Sequence, residues 1–168
     1  MAFVILTGAS GSGKTTIAKA VSARYGEQVE VYHFDSIGVP PPEEMIAKYG
    51  SGEAWQRAMT CEWIARVADT PRRRRVLLEG QTRLSFVIEA TAAAGISDYV
   101  LILADCDDAT RSKRLLLDRR QRDLATPTMM NWANYLRGEA RQVRCTVLNT
   151  AHLPLEHCVQ LVWSHLGE

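Results

Sequence analysis

Apolar and polar positions along this chain follow two periods. Short apolar or alternating runs stand at 3–6, 29–34, 76–78, 99–103 and 145–148, each of strand length and each separated by a segment long enough for a helix. Five strands alternating with helices predict an α/β fold, a parallel sheet covered on both faces. The intervening segments carry helix punctuation. Pro42-Glu43-Glu44 places proline and acids in a first turn and Gly50 after the last periodic residue, which predicts a helix over 42–49. Trp55, Met59, Trp63 and Val67 recur at every fourth position, the stripe of a helix face that packs in the core or lines a ligand pocket. A helix over 84–94 closes at Gly95, and Asp107-Asp108 caps another that runs to 120. Thr126-Pro127 or Thr128 starts one that runs to 143, and 155–166 forms the last.

Between the first strand and the helical pattern of Ile17, Val21 and Tyr25 lies Gly8-Ala9-Ser10-Gly11-Ser12-Gly13-Lys14-Thr15, which fits G-x-x-x-x-G-K-[ST]. The strand before and the helix after are the context a phosphate-binding loop requires. Its glycines let the backbone curl so that N–H groups converge on phosphate oxygens, and the helix N-terminus behind them adds positive dipole. In such a loop Lys14 reaches the β- and γ-phosphates of a nucleotide. Thr15 offers its hydroxyl to the Mg²⁺ that bridges them, and Thr16 is placed for the α-phosphate.

Composition narrows what can surround that loop. With 168 residues, 46% of them hydrophobic, the chain suffices for one well-buried domain spanning 1–168, so the chemistry gathers at the loop. A net charge of +1 provides no global attraction for nucleic acid or an anionic membrane, which leaves small anionic ligands as the easier fit. The motif begins at residue 8 and no apolar run approaches membrane-spanning length, so the expected location is the cytoplasm. Cys61, Cys106, Cys145 and Cys158 show no paired spacing and read as buried thiols. His33, His152, His157 and His165 form no ligand spacing. The arginine run 72–75 reads as a solvated turn near helix dipoles, with contacts to nucleic-acid phosphates as the alternative.

Other motifs separate the classes that use such a loop. No N-K-x-D guanine-reading motif is present. Asp35-Ser36-Ile37-Gly38 matches D-x-x-G but sits on the second strand without an intervening switch threonine, and no LSGGQ-type signature exists. From Val76 the sequence VLLEGQTRLSFVIEATAAAGISDYVLIL resembles the adenylate-kinase stretch L-D-G-F-P-R, a helix, an A-G-I turn and an aliphatic strand, and 105–120 resembles the fourth strand and lid-bearing helix. The likeness covers most of the chain.

The resemblance implies the three-layer P-loop fold of nucleoside-monophosphate, shikimate and gluconate kinases: a five-stranded parallel sheet, an acceptor-binding helical insert at about 38–70 and a short mobile lid at about 119–128. It implies ATP- and Mg²⁺-dependent transfer of the γ-phosphoryl group to a small molecule. By that likeness Glu79 would bind a magnesium water, the alternative being a buried pairing with a nearby arginine. Gly80 would admit the transferring phosphate, Gln81 and Arg83 would face the acceptor, Arg114 would stack on adenine, and Asn149, Thr150 and Ala151 would lie beside it. Arg119 and Arg120, in a basic segment with Arg111, Lys113, Arg114 and Arg122, would close over the γ-phosphate. Trp132 and Tyr135 read as core on the helix after the lid.

The departures bear on the acceptor. T-G-D-M-L-R is replaced by HFDSIGVPPPEEM, and the adenine-reading glutamine by Val87, so AMP is not the expected acceptor. Asp35 stands instead where hydroxyl-phosphorylating relatives carry a carboxylate close to acceptor and metal. It reads as a base for the hydroxyl proton, a holder of metal-bound water, or a turn aspartate bonding its own backbone. Arg83 reads either as a holder of an anionic group on the acceptor or as a salt-bridge partner. The alternatives to a hydroxyl kinase are a kinase for a nucleoside monophosphate other than AMP, a nucleotide-driven binding module with slow hydrolysis, and a polynucleotide 5′-hydroxyl kinase.

Overall fold

The structure, a computed structural model, describes residues 3–71, 74–118 and 120–167. Strands β1 (Phe3–Thr7), β2 (Val29–His33), β3 (Arg75–Gly80), β4 (Val100–Asp105) and β5 (Thr146–Asn149) form one parallel sheet in the order β2-β3-β1-β4-β5. β1 is central and buried along its whole length, which is why every residue from Phe3 to Leu6 is apolar. Its side chains alternate between two cores. Phe3 and Ile5 face the layer of α3 (Gly52–Ala68), α4 (Leu84–Ala93) and α6 (Pro127–Gln142), while Val4 and Leu6 face α1 (Lys14–Tyr25) and α7 (Leu155–Leu166). The stripe Trp55, Trp63 and Val67 lies in the first core with Met59 packed against it. α2 (Pro42–Tyr49) buries none of its residues.

The caps predicted at Asp107 and Thr126 are in place, and Ser51, not anticipated, caps α3 in the same way. Ser51 accepts from the Ala54 N–H at 3.0 Å, Asp107 from Thr110 at 2.7 Å and Thr126 from Met129 at 3.3 Å. The helix expected over 108–120 is shorter. α5 (Asp108–Lys113) widens into a π turn at Arg114–Asp118, and the chain reverses near Arg120, whose φ of 53° is left-handed. The Gln121 N–H then returns to the Leu115 carbonyl at 2.8 Å.

Two further expectations are met in part. Of the arginine run, Arg72 and Arg73 lie outside the described residues. Arg74 is 3.5 Å from Glu30, and Arg75 donates to the Leu166 and Gly167 carbonyls at 3.1 and 2.7 Å, satisfying the open end of α7. Cys106 and Cys158 are buried, but Cys145 is half-buried and Cys61 is exposed, because it falls off the buried stripe of α3. Among the described residues no helix is long and apolar enough to cross a membrane.

Candidate functional site

All five strands point their carboxyl ends to one edge, and β3 and β4 flank β1, so the segments leaving them border the phosphate loop. The loop is fixed from behind. A side chain on Gly8 would place its Cβ 2.4 Å from the Ala104 carbonyl of β4. Arg111, read as one cation of the basic segment, is fully buried beneath the loop. It donates to the Ser10 carbonyl at 3.0 Å, to the Asp105 carboxylate at 2.7 Å and to the Cys106 carbonyl at 3.1 Å. Arg137 holds the other carboxylate oxygen of Asp105 at 2.6 Å. The Asp105 and Asp108 carboxylates beside it raise the Arg137 guanidinium pKa further.

The front of the loop is suited to an anion. Gly13 caps α1 in the left-handed region at φ 89°, no side chain caps the helix and no acid stands in its first turn. The buried Ser12 hydroxyl has no hydrogen-bond partner. A cavity of about 410 Å³ opens here, bordered by Gly13, Lys14, Thr15, Thr16, Arg114 and Thr150. Arg114 donates to the Thr150 hydroxyl and carbonyl at 2.8 and 2.7 Å, and Thr150 donates to the Ser12 carbonyl at 2.7 Å. Asn149 turns the chain by accepting from the Ala151 N–H at 3.0 Å. Loop, Arg114 and the segment after β5 therefore meet around one cavity, with donors and dipole that fit a nucleotide.

Glu79, 4% exposed, lies beside the loop. Its Oε1 accepts from the Thr15 hydroxyl at 2.9 Å and is 3.9 Å from the Lys14 ammonium. A hydroxyl next to a carboxylate is a hard-oxygen donor set that fits Mg²⁺, an ion that keeps most of its waters and takes few protein ligands. The other oxygen, Oε2, is 2.7 Å from His33 Nδ1. Sequence reading passed over His33. The pairing follows from sheet register, in which His33 of β2 stands opposite Glu79 of β3. The only signal in the sequence was a polar residue near the end of the strand-like run 29–34.

The β2 and β3 side holds the candidate acceptor residues. Asp35 lies in the 3₁₀ turn Phe34–Ile37 just past β2, exposed, with its carbonyl accepting from the Gly38 N–H at 3.1 Å. The residue that touches Glu79 from this segment is His33. Gly80 makes room for Phe34, whose Cβ would lie 2.1 Å from a Cβ added there. Trp63 Nε1 holds the Phe34 carbonyl at 3.0 Å. Gln81 accepts from Ser10 at 3.3 Å, and its carbonyl accepts from Gln56 at 3.0 Å.

Arg83 is joined to α3 through Gln56 Oε1 at 2.8 Å and Glu53 Oε2 at 2.9 Å. Its guanidinium lies 4.9 to 5.3 Å from the ring centres of Trp132, Phe86 and Tyr135. Of the two residues expected in the core, Trp132 packs half-buried against it and Tyr135 is exposed, and the two rings stack at 5.4 Å as the wall of this cation site. Tyr135 donates to Glu139, which also accepts from the Leu84 N–H at 2.8 Å and so caps α4. Glu53 and Gln56 were not anticipated, because they fall on the polar face of the α3 stripe. Arg119 lies outside the described residues, and Arg120 is exposed at the turn after the π segment.

No protein-family model matches the sequence, and no curated protein matches it. Solved structures do share its architecture. A gluconokinase from Sinorhizobium meliloti 1021 aligns over 98% of this chain and 90% of its own, with a TM-score of 0.69 at 14% identity. A shikimate kinase from Bacteroides thetaiotaomicron aligns over 98% of both chains with a TM-score of 0.68 at 17% identity. A sugar kinase from Janibacter sp. HTCC2649 gives 0.67 at 20% identity over 98% of this chain and 93% of its own. The fold is that of the P-loop kinases.

Proposed function

We propose that this protein is an ATP- and Mg²⁺-dependent phosphotransferase that acts on a hydroxyl group of a small molecule. The observation that carries the reading is the meeting of Lys14, Thr15 and Glu79 within 4 Å at the mouth of an uncapped phosphate loop. Solved structures of the same fold that are named as kinases of gluconate, shikimate and sugars support it. Lys14 and the loop N–H groups hold the nucleotide phosphates, and Thr15 with Glu79 holds the metal. Mg²⁺ supplies charge neutralisation on the β- and γ-phosphates. Arg114 and the segment 149–151 border the nucleoside end. Arg119 and Arg120, on the lid at about 119–128, close over the transferring group and keep water from competing as acceptor. The insert at about 38–70 receives the acceptor, and Asp35 orients or deprotonates its hydroxyl.

An anionic group on the acceptor is favoured by Arg83. This guanidinium is largely buried, at 17% exposure, while its carboxylate partner Glu53 is 62% exposed and therefore exchangeable. A carboxylate or phosphate on the acceptor takes the place of Glu53 on Arg83.

The test is ADP release from ATP–Mg²⁺ across sugar acids, nucleosides, nucleoside monophosphates, amino alcohols and 5′-hydroxyl oligonucleotides. A hydroxyl compound stimulates release, and Lys14→Ala lowers the stimulated rate by about 10²–10³-fold. Stimulation confined to nucleoside monophosphates, or an unresponsive panel despite tight ATP binding, overturns the reading.

A further inference from the structure

His33, which touches the buried Glu79 carboxylate at 2.7 Å, lies outside every motif. We infer that His33 is a positioning residue for the metal-holding pair Thr15 and Glu79, setting which oxygen of Glu79 faces the loop; this rests on the function proposed above. His33 Nδ1 lies 2.7 Å from Glu79 Oε2, and in the tautomer with its proton on Nδ1 the ring donates to that oxygen. With Oε2 engaged on the β2 side, Oε1 is left to Thr15 at 2.9 Å and to Lys14 at 3.9 Å. The two oxygens of one buried side chain are thus assigned to opposite neighbours.

The imidazole is itself held. His33 and Glu79 are register partners in adjacent parallel strands, which fixes the separation of their backbones. On either side of His33, Tyr32 packs against Trp63 at 5.6 Å, and the Phe34 carbonyl accepts from Trp63 Nε1 at 3.0 Å. The His33 carbonyl accepts from the Ser36 hydroxyl at 2.7 Å. Helix α3 therefore anchors the end of β2, and β2 presents a donor to the carboxylate. Without that donor, Oε2 of a 4% exposed group loses its partner, and the side chain turns to find another. Oε1 then leaves Thr15. His33 is at the end of an edge strand and its side chain is 38% exposed, so its replacement disturbs the metal pair more than the fold.

The experiment compares the unaltered chain with His33→Leu, His33→Ala and His33→Asn. Asn is the conservative variant, since its side-chain N–H₂ occupies nearly the place of Nδ1. Mn²⁺ binding to each protein with a non-hydrolysable ATP analogue is titrated by electron paramagnetic resonance. Affinity for the analogue is measured separately in EDTA, and urea midpoints report the fold. In Leu and Ala the Mn²⁺ affinity falls about 10–100-fold with analogue affinity in EDTA unchanged, and Asn restores most of it. Should Leu fail to fold, Ala carries the comparison. Unchanged Mn²⁺ affinity in Leu and Ala, or an equal loss in Asn, overturns the inference and leaves the proposed function standing. Failure of the unaltered chain to bind the analogue overturns both.

Discussion

Arg111 shows how far a residue's setting can depart from its type. It reads as one cation in a basic stretch, yet among the described residues it is the largest fully buried side chain and ties the phosphate loop to the end of β4. Replacing it by Met leaves the Ser10 carbonyl without its donor and the Asp105 carboxylate with Arg137 alone. The expected loss is about 3 kcal/mol in urea unfolding. Arg111→Lys keeps the charge but cannot reach three acceptors, and falls between the two. A loss under 0.5 kcal/mol for Met would show that Arg137 alone holds the turn. The loop itself was legible, since glycine, lysine and threonine answer demands that act within eight consecutive positions. His33, Gln56 and Glu53 were not, because strand register and the seating of α3 give them their partners, and neither is written in local sequence.

Among the elements, the segment from β2 to α3 is locked by one close approach. Gly80 of β3 admits Phe34, and Phe34 is held by Trp63 of α3. Gly80→Ala drives a Cβ into the Phe34 side chain and costs about 1–3 kcal/mol, read as a fall of about 3–10 °C in Tm. Phe34→Leu in the same chain recovers part of it, and a strictly additive double variant would argue against the contact. Strands and capped helices were legible from periodicity and punctuation. The end of α5 was not: Arg114-Leu115-Leu116-Leu117-Asp118 contains no glycine or proline, and local propensity favours continuing the helix. The π turn accompanies tertiary demands, with Leu115 buried and Arg114 drawn to Thr150.

At the scale of the molecule, the strand order β2-β3-β1-β4-β5 puts two groups of residues on opposite sides of β1. The cavity beside Arg114 and Thr150 belongs to the segments after β4 and β5, and the Arg83 site to those around β2 and β3, with a wall from α6. The proposed function then expects separable defects. Arg83→Ala raises the KM of an anionic acceptor about 10–100-fold, as befits lost charged hydrogen bonds, and leaves the Kd of the ATP analogue unchanged in calorimetry. A parallel loss in both would show that the halves are coupled. The same strand order has an evolutionary consequence. A gene encoding this chain can rewrite the solvent-facing positions of α2 and α3 and acquire a new partner molecule while the segments bordering the phosphate cavity pass unaltered from ancestor to descendant.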